Sequence, residues 1–432
     1  MQEFNGPHYT RSVMELSDVL TVRTSKPIYS KTGLKLVDKN VEISSAFFKR
    51  MLQHSMTPPF EQCLVVENGI THDEILGVAQ QLLRNNLMLA RMAKSLPKAG
   101  ELLPPFKGIV LNPHLNFLLT LARERRPYML EHGVMVALIS IYLGIRMGLP
   151  AQKLTDLATA GVMHDIGEMR FNPQLFNSNY RLSGEERGQI YQHPQTTHDI
   201  LQKTGDYSAM TLDAVLQHHE RMDGSGYPNG LRDEGISLGG QILAAAEMAG
   251  SKVCQGMWGA QRLEMICKLN SRQFATNLLG FLSILYGHEA DKKPKISSKA
   301  AQVTLQKIQG QINKIALVFN TWRDAQGKIS SSPQGAYAFV QQRLIGLNVN
   351  LQDAGIDLHG KLFLGADVEQ NLSAMAELDQ LTLEVIWQLR ETLLVVQRRW
   401  PKYAADQSAQ GLAVNSWIEP MDELLSASGR LF

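Results

Sequence analysis

Between Asn112 and Arg272 apolar residues recur every three or four positions almost without pause, the spacing that lines one face of an α-helix. The pattern breaks at Gly148-Leu149-Pro150, at Asn172-Pro173 and from Asp223 to Gly230, where turn-forming residues gather. Upstream, short β-type runs (VLTVRT, PIYS, LKLV, VEIS) lie between Asp18 and the region of Ile43, separated by Lys-Thr-Gly and Asp-Lys-Asn turn signals. They predict a small strand-bearing module. Thr71-His72-Asp73-Glu74 is a capping box, which predicts a helix running to Leu96 before Pro97. The stretch from Pro97 to Pro105 then reads as a boundary.

Past a basic linker at Lys292–Lys299, Ala301, Leu305, Ile308, Ile312, Ile315, Phe319 and Trp322 alternate at four and three residues, a seven-residue seam. A second linker, Lys328–Gly335, precedes two more helical runs. The longer extends from about Val368 to Trp400 and carries a stripe of Leu381, Val385, Leu389, Leu393 and Val396. The seam should be buried, either against neighbouring helices or across the two-fold axis of a homodimer. The expected architecture is mainly α. It comprises an N-terminal α+β module at 1–108, an all-helical middle domain at 109–272 and a helical C-terminal region at 273–432.

Composition narrows the field without naming a function. A chain of 432 residues is long enough for two or three cores. Its 43 Lys and Arg against 41 Asp and Glu are too balanced to imply affinity for DNA or RNA. No uninterrupted apolar run approaches the roughly 18 residues of a membrane helix, and MQEFNGPHYTRS lacks the apolar core of a signal peptide. A cytoplasmic protein is expected. Cys63, Cys254 and Cys267 are odd in number and far apart, which argues against a disulfide framework or a thiolate metal site.

The histidines change the picture. Six of the 12 fall between positions 132 and 219: His132, His164, His193, His198, His218 and His219. Three of them stand in two dipeptides, His164-Asp165 and His218-His219, and Asp223-Gly224-Ser225-Gly226-Tyr227-Pro228 follows. A lone helix histidine is ordinarily a packed or surface residue. A cluster mixing imidazole with carboxylate suits Mn, Fe, Co or Zn, and one carboxylate can bridge two ions. Such a metal pair is poised for hydrolysis.

The run His164-Asp165-Ile166-Gly167, then His193, then His218-His219-Glu220-x-x-Asp223-Gly224-Ser225-Gly226-Tyr227-Pro228, resembles the HD-GYP domain over about residues 110–270. That family comprises bacterial phosphohydrolases of the HD superfamily that degrade cyclic di-GMP and related cyclic dinucleotides. The resemblance implies an HD-type helical domain and two divalent ions, Fe or Mn. One ion would be held by His132, His164, Asp165 and Glu247, the other by His193, His218 and His219, with Asp165 shared. It implies a substrate or partner loop made of Asp223, Gly224, Gly226, Tyr227 and Pro228, and GGDEF-type signalling proteins as partners. The rival implication is a degenerate receptor or scaffold for a cyclic dinucleotide.

Four positions depart from the family pattern. Glu168, with Asp165 a candidate catalytic residue, stands where the family has a lysine facing phosphate. It either repels phosphate, selects a different substrate or joins the metal shell. On the first reading a lysine restored there is expected to raise activity or leave it unchanged. Glu247 replaces an aspartate, and Gly250 replaces a second acidic residue. Tyr128 occupies the place of the glutamate that accompanies a third metal, so two ions at most are expected. His198 matches no family ligand. The run Arg123–Arg126 reads as a solvated helix face, and Arg221 and Arg232 as surface groups flanking the loop.

Overall fold

The structure, a computed structural model, describes residues 7–427 apart from 52–55, 59, 99, 178–179, 181, 254–258, 287–297, 328, 330 and 354–371. The linker at Lys292–Lys299 thus lies almost wholly outside the described residues. The chain forms two compact units. One is Met1–Cys254 with Gly280–Leu285, the other Gln255–Leu279 with Tyr286–Phe432.

The first unit opens with α1 (Pro7–Ser17), followed by β1 (Val22–Thr24), β2 (Ile28–Ser30), β3 (Lys35–Val37), α2 (Ser45–Met51), β4 (Met56–Thr57) and β5 (Leu64–Val66). The strands form two small antiparallel sheets, β1 with β5 and β3-β2-β4. Of the four predicted runs, VEIS contributes only a bridge between Arg23 and Glu42, because Ser44 already accepts from the amide of Phe47 to open α2.

The Thr71–Glu74 capping box forms as expected and starts α3 (His72–Asn85). The helix predicted to reach Leu96 is interrupted. Asn86 turns extended, and its side-chain oxygen accepts from the amides of Met88 and Leu89 to cap a separate α4 (Leu87–Lys94).

The middle helices are α5 (Pro104–Lys107), α6 (Pro113–Arg125), α7 (Pro127–Arg146), α8 (Ala151–Met163), α9 (Gly184–Ile190), α10 (His193–Gln202), α11 (Ala209–Gln217) and α12 (Leu238–Val253). By length and composition α7 could cross a membrane, but 78% of its apolar window is buried, as befits a core helix. Two glycines set how closely α7 and α8 approach. A Cβ at Gly133 would lie 2.8 Å from the carbonyl oxygen of Val162, and one at Gly161 only 2.5 Å from the Cα of Ala137. The backbones therefore touch, placing His132 beside the C-terminal end of α8, where His164 follows.

A 3-10 turn, Ile166–Arg170, comes next. Gly167 presses against Thr197 and the His193 carbonyl, and its amide donates to the Thr197 hydroxyl at 3.0 Å. That contact ties the His-Asp segment to α10.

The second unit contains α13 (Gly259–Leu269), most of α14 (Thr276–Leu282), α15 (Ser298–Gln326), α16 (Gly335–Asp353), α17 (Leu372–Arg399) and α18 (Ala409–Ala427). The expected seam is inside it. Ile308, Ile312, Ile315 and Trp322 are buried, and Phe319 packs against the core; the Ala301 side chain lies outside the described residues. Leu381, Val385, Leu389, Leu393 and Val396 line the same core with Trp417, so burial is achieved within the bundle.

Leu389→Ala should cost about 2–5 kcal/mol of stability, the usual range for a fully buried leucine. The tryptophans among the described residues, Trp322, Trp387, Trp400 and Trp417, all fall in this unit, so urea unfolding followed by tryptophan fluorescence checks the loss.

Candidate metal centre

Three histidines reach the centre of the first unit in the same way. The Nδ1 atoms of His164, His193 and His218 lie 2.8, 2.8 and 2.6 Å from the carbonyls of Gly161, Ile190 and Val215, each three residues upstream. A carbonyl can only accept, so each Nδ1 carries a proton and each ring turns its Nε2 inward. The Nε2 atoms of His193 and His218 face each other at 3.1 Å. With both Nδ1 atoms already donating, that contact is closed either by a proton on one Nε2 or by a cation that both nitrogens face. Backbone carbonyls fixing Nδ1–H are also the usual support of metal-ligating imidazoles.

Carboxylates complete the cluster. Glu247, reaching in from α12, places Oε2 2.8 Å from His132 Nε2 and 3.2 Å from His164 Nε2. Asp165 divides its oxygens, Oδ2 lying 3.1 Å from His164 and Oδ1 3.3 Å from His193 and 3.7 Å from His218. The ligand atoms of His132, His164 and Glu247 all lie within 4.8 Å of one another, as do those of His193, His218 and His219. Asp165 also joins His164 and His218 at that range, and Glu168 joins Asp165 and His193. These clusters can hold divalent metal. All eight residues singled out for metal or catalytic work thus converge.

Charge follows the geometry. Burial, reinforced by His164 and His193, pushes His218 down to about 3, and burial holds His219 well below the ordinary imidazole value. Burial opposes ionisation of Asp165 and Glu247, yet the facing imidazoles hold both well below the usual carboxylate range. His164 rises to about 10 because Asp165 and Glu247 outweigh its burial. Glu168 is pushed well up by burial and by the adjacent Asp165 charge.

Arg126 corrects the reading of Arg123–Arg126 as a solvated face. Its residue is 6% exposed, its Nη1 lies 3.6 Å from Glu168 Oε2, and its guanidinium sits 4.8 Å from the centre of the Phe176 ring. It occupies the break between α6 and α7, with φ −146° and ψ 68°, and that turn takes its side chain off the helix face. The expectation that a lysine at 168 would be neutral or beneficial changes with it, since that lysine would meet a buried cation. Arg123 does lie outside, paired with Glu74 at 2.7 Å, and Tyr128 is 56% exposed.

The loop from Asp223 to Pro228 is seated by a residue that sequence reasoning left without a role. Glu220 is 1% exposed, and its carboxylate accepts from the amides of Asn229, Gly230 and Leu231 at 2.7, 3.0 and 2.9 Å. Its only sequence signal was its place between two histidines and the glycine loop. Gly226 lies so close to the backbone of His219–Arg221 that a Cβ would sit 2.4 Å from the His219 carbonyl. Gly224, at φ +75°, lies under the Arg232 stem. Asp223 serves the loop itself, accepting from the Ser225 amide and hydroxyl.

The Tyr227 ring, next to the cis Tyr227–Pro228 peptide, stacks on His219 at 4.6 Å and packs against Tyr191. Arg221 donates to the carbonyls of His218 and Glu220. His198 takes no part in the cluster; its Nδ1 lies 3.4 Å from Asp199.

Comparison with known proteins agrees with this geometry. Residues 116–266 match the family described as HD domain. Over 163 residues the chain is 34% identical to a cyclic di-GMP phosphodiesterase of Pseudomonas aeruginosa, covering 37% of this chain and 39% of that protein. It is 32% identical over 119 residues to a cyclic di-GMP phosphodiesterase of Borreliella burgdorferi, covering 28% and 31%. A 3'3'-cGAMP-specific phosphodiesterase of Vibrio cholerae is 23% identical over 230 residues, covering 51% and 48%. The chain spans less than half the length of each of these relatives. Its middle part is thus similar to an HD domain. Within it Asp165 stands beside His164 and the Gly-Tyr-Pro loop stacks on His219.

Proposed function

We propose that the chain hydrolyses a phosphodiester bond of a cyclic dinucleotide, cyclic di-GMP foremost, with two divalent ions, manganese or iron. In this reading His132, His164 and Glu247 hold one ion, His193, His218 and His219 the other, and Asp165 serves both. The observation that carries it is the divided Asp165 carboxylate, one oxygen toward each histidine group. Bound ions would supply Lewis acidity and neutralise charge on the phosphate. The protein's own contribution is orientation. Backbone carbonyls hold three imidazoles in one tautomer, and Tyr227 fixes the His219 ring from the loop side.

The test is turnover of cyclic di-GMP and 3'3'-cGAMP by the full chain loaded with Mn²⁺ or Fe²⁺, read by chromatography of the products. A linear dinucleotide or mononucleotide should appear, and EDTA should suppress it by at least about a hundredfold. Metal-loaded protein that leaves both substrates intact would overturn the reading.

A further inference from the structure

We infer that Glu168, at the position where the family pattern has a lysine, is an additional ligand of the metal centre, and that Arg126 is the residue positioning it. The inference rests on the proposed metal centre and adds a ligand group to it: Asp165, Glu168 and His193, whose ligand atoms lie within 4.8 Å of one another.

Two independent observations meet here. The first is that the Glu168 carboxylate does not turn toward solvent, although a glutamate stem is long enough to reach it. Its side chain is 12% exposed and lies beside a second carboxylate, Asp165. Two carboxyl groups in one buried place are relieved either by a proton on one of them or by a cation that both can bind. Arg126 lies 3.6 Å from Glu168 and His164 lies 3.1 Å from Asp165, while His193 is the third member of the ligand group.

The second is Arg126. It approaches Glu168 at 3.6 Å, an ion-pair distance too long for a hydrogen bond, and its Nη1 is buried with no hydrogen-bond partner among the described residues. The guanidinium is held in place by the Phe176 ring and by the Phe171 carbonyl, 3.5 Å from Nη2. The cation is therefore fixed by its own surroundings, and Glu168 stands between it and the cluster without being spent on a tight bidentate pair. A carboxylate so placed keeps donor capacity for a metal ion. A lysine there would have none, and would repel both the ion and Arg126.

The experiment measures metal content directly. Wild type, Glu168→Gln, Arg126→Met and Arg126→Lys are loaded with Mn²⁺, desalted and analysed for metal per chain. Retention is then titrated with a competing chelator, and folding is checked by circular dichroism. Glu168→Gln should lose one metal equivalent or release its most weakly held ion at least tenfold more easily. Arg126→Met should weaken retention by about 10–100-fold, the range for groups that support a ligand, and Arg126→Lys should recover most of that loss.

A folded Glu168→Gln protein that retains manganese as wild type does overturns the inference while leaving the metal centre intact. Wild type that binds no manganese or iron overturns the metal centre itself. Should Glu168→Gln not fold, Glu168→Asp keeps the charge but withdraws the oxygens by about one methylene, and unchanged retention there is equally fatal.

Discussion

Asp165→Asn should strip the protein of both metals and reduce phosphodiesterase activity at least about a thousandfold, equivalent to about 4 kcal/mol of transition-state stabilisation. Asp165 is the side chain that reaches His164 with one oxygen and His193 and His218 with the other. An amide of the same shape removes its negative charge and turns one of those positions from acceptor to donor. The donated hydrogen would point at an imidazole Nε2 or at an ion, and neither binding position escapes. Metal analysis and turnover should therefore fall together. Full metal content in the Asp165→Asn protein would show that the two histidine groups bind independently.

Glu220→Ala should be the most damaging change outside the metal cluster. Three backbone amides of the glycine loop point into this one buried carboxylate. Removing it leaves them buried without that acceptor, at about 1–3 kcal/mol for each donor that water cannot reach. The expected result is a loss of about 3–5 kcal/mol in local stability, read as faster amide exchange across residues 223–231. Tyr227 would then lose its seat on His219, so activity should fall even where metal content is retained. Glu220→Gln, which keeps acceptor capacity, should recover part of both losses. Unchanged exchange in Glu220→Ala would mean that the loop is held by its glycines alone.

Much of the site could be read from the chain because its chemistry sits in contiguous words. His164-Asp165 and His218-His219 each put two ligands at a helix end, where successive side chains turn into one cavity, and the Gly-Tyr-Pro loop follows at a fixed distance. The second long stripe, Leu381 to Val396, was legible for the same reason: period alone decides which face is buried.

What escaped depended on a single residue departing from its neighbours. Nothing in Arg123-Glu124-Arg125-Arg126 says which arginine turns inward; the φ and ψ of Arg126 at the helix break decide it. Asn86 divides a helix that propensity would run through, because its side chain competes for the amides of the next turn. Glu220 looked like a spacer between motif letters, and its acceptor role depends on three amides nine to eleven residues away.

The backbone contact between α7 and α8 has a meaning for anyone wishing to redesign this centre. With Gly133 against the Val162 carbonyl and Gly161 against Ala137, the helices cannot move closer, and neither glycine has room for a methyl group. The contact is a fixed gauge, set next to the cluster's first two histidines. Adaptation to an ion of different radius must then come from the donors rather than from the scaffold, by lengthening or shortening a side chain. Glu247 shows the reach a donor can have here: from α12 its one oxygen lies 2.8 Å from His132 and 3.2 Å from His164.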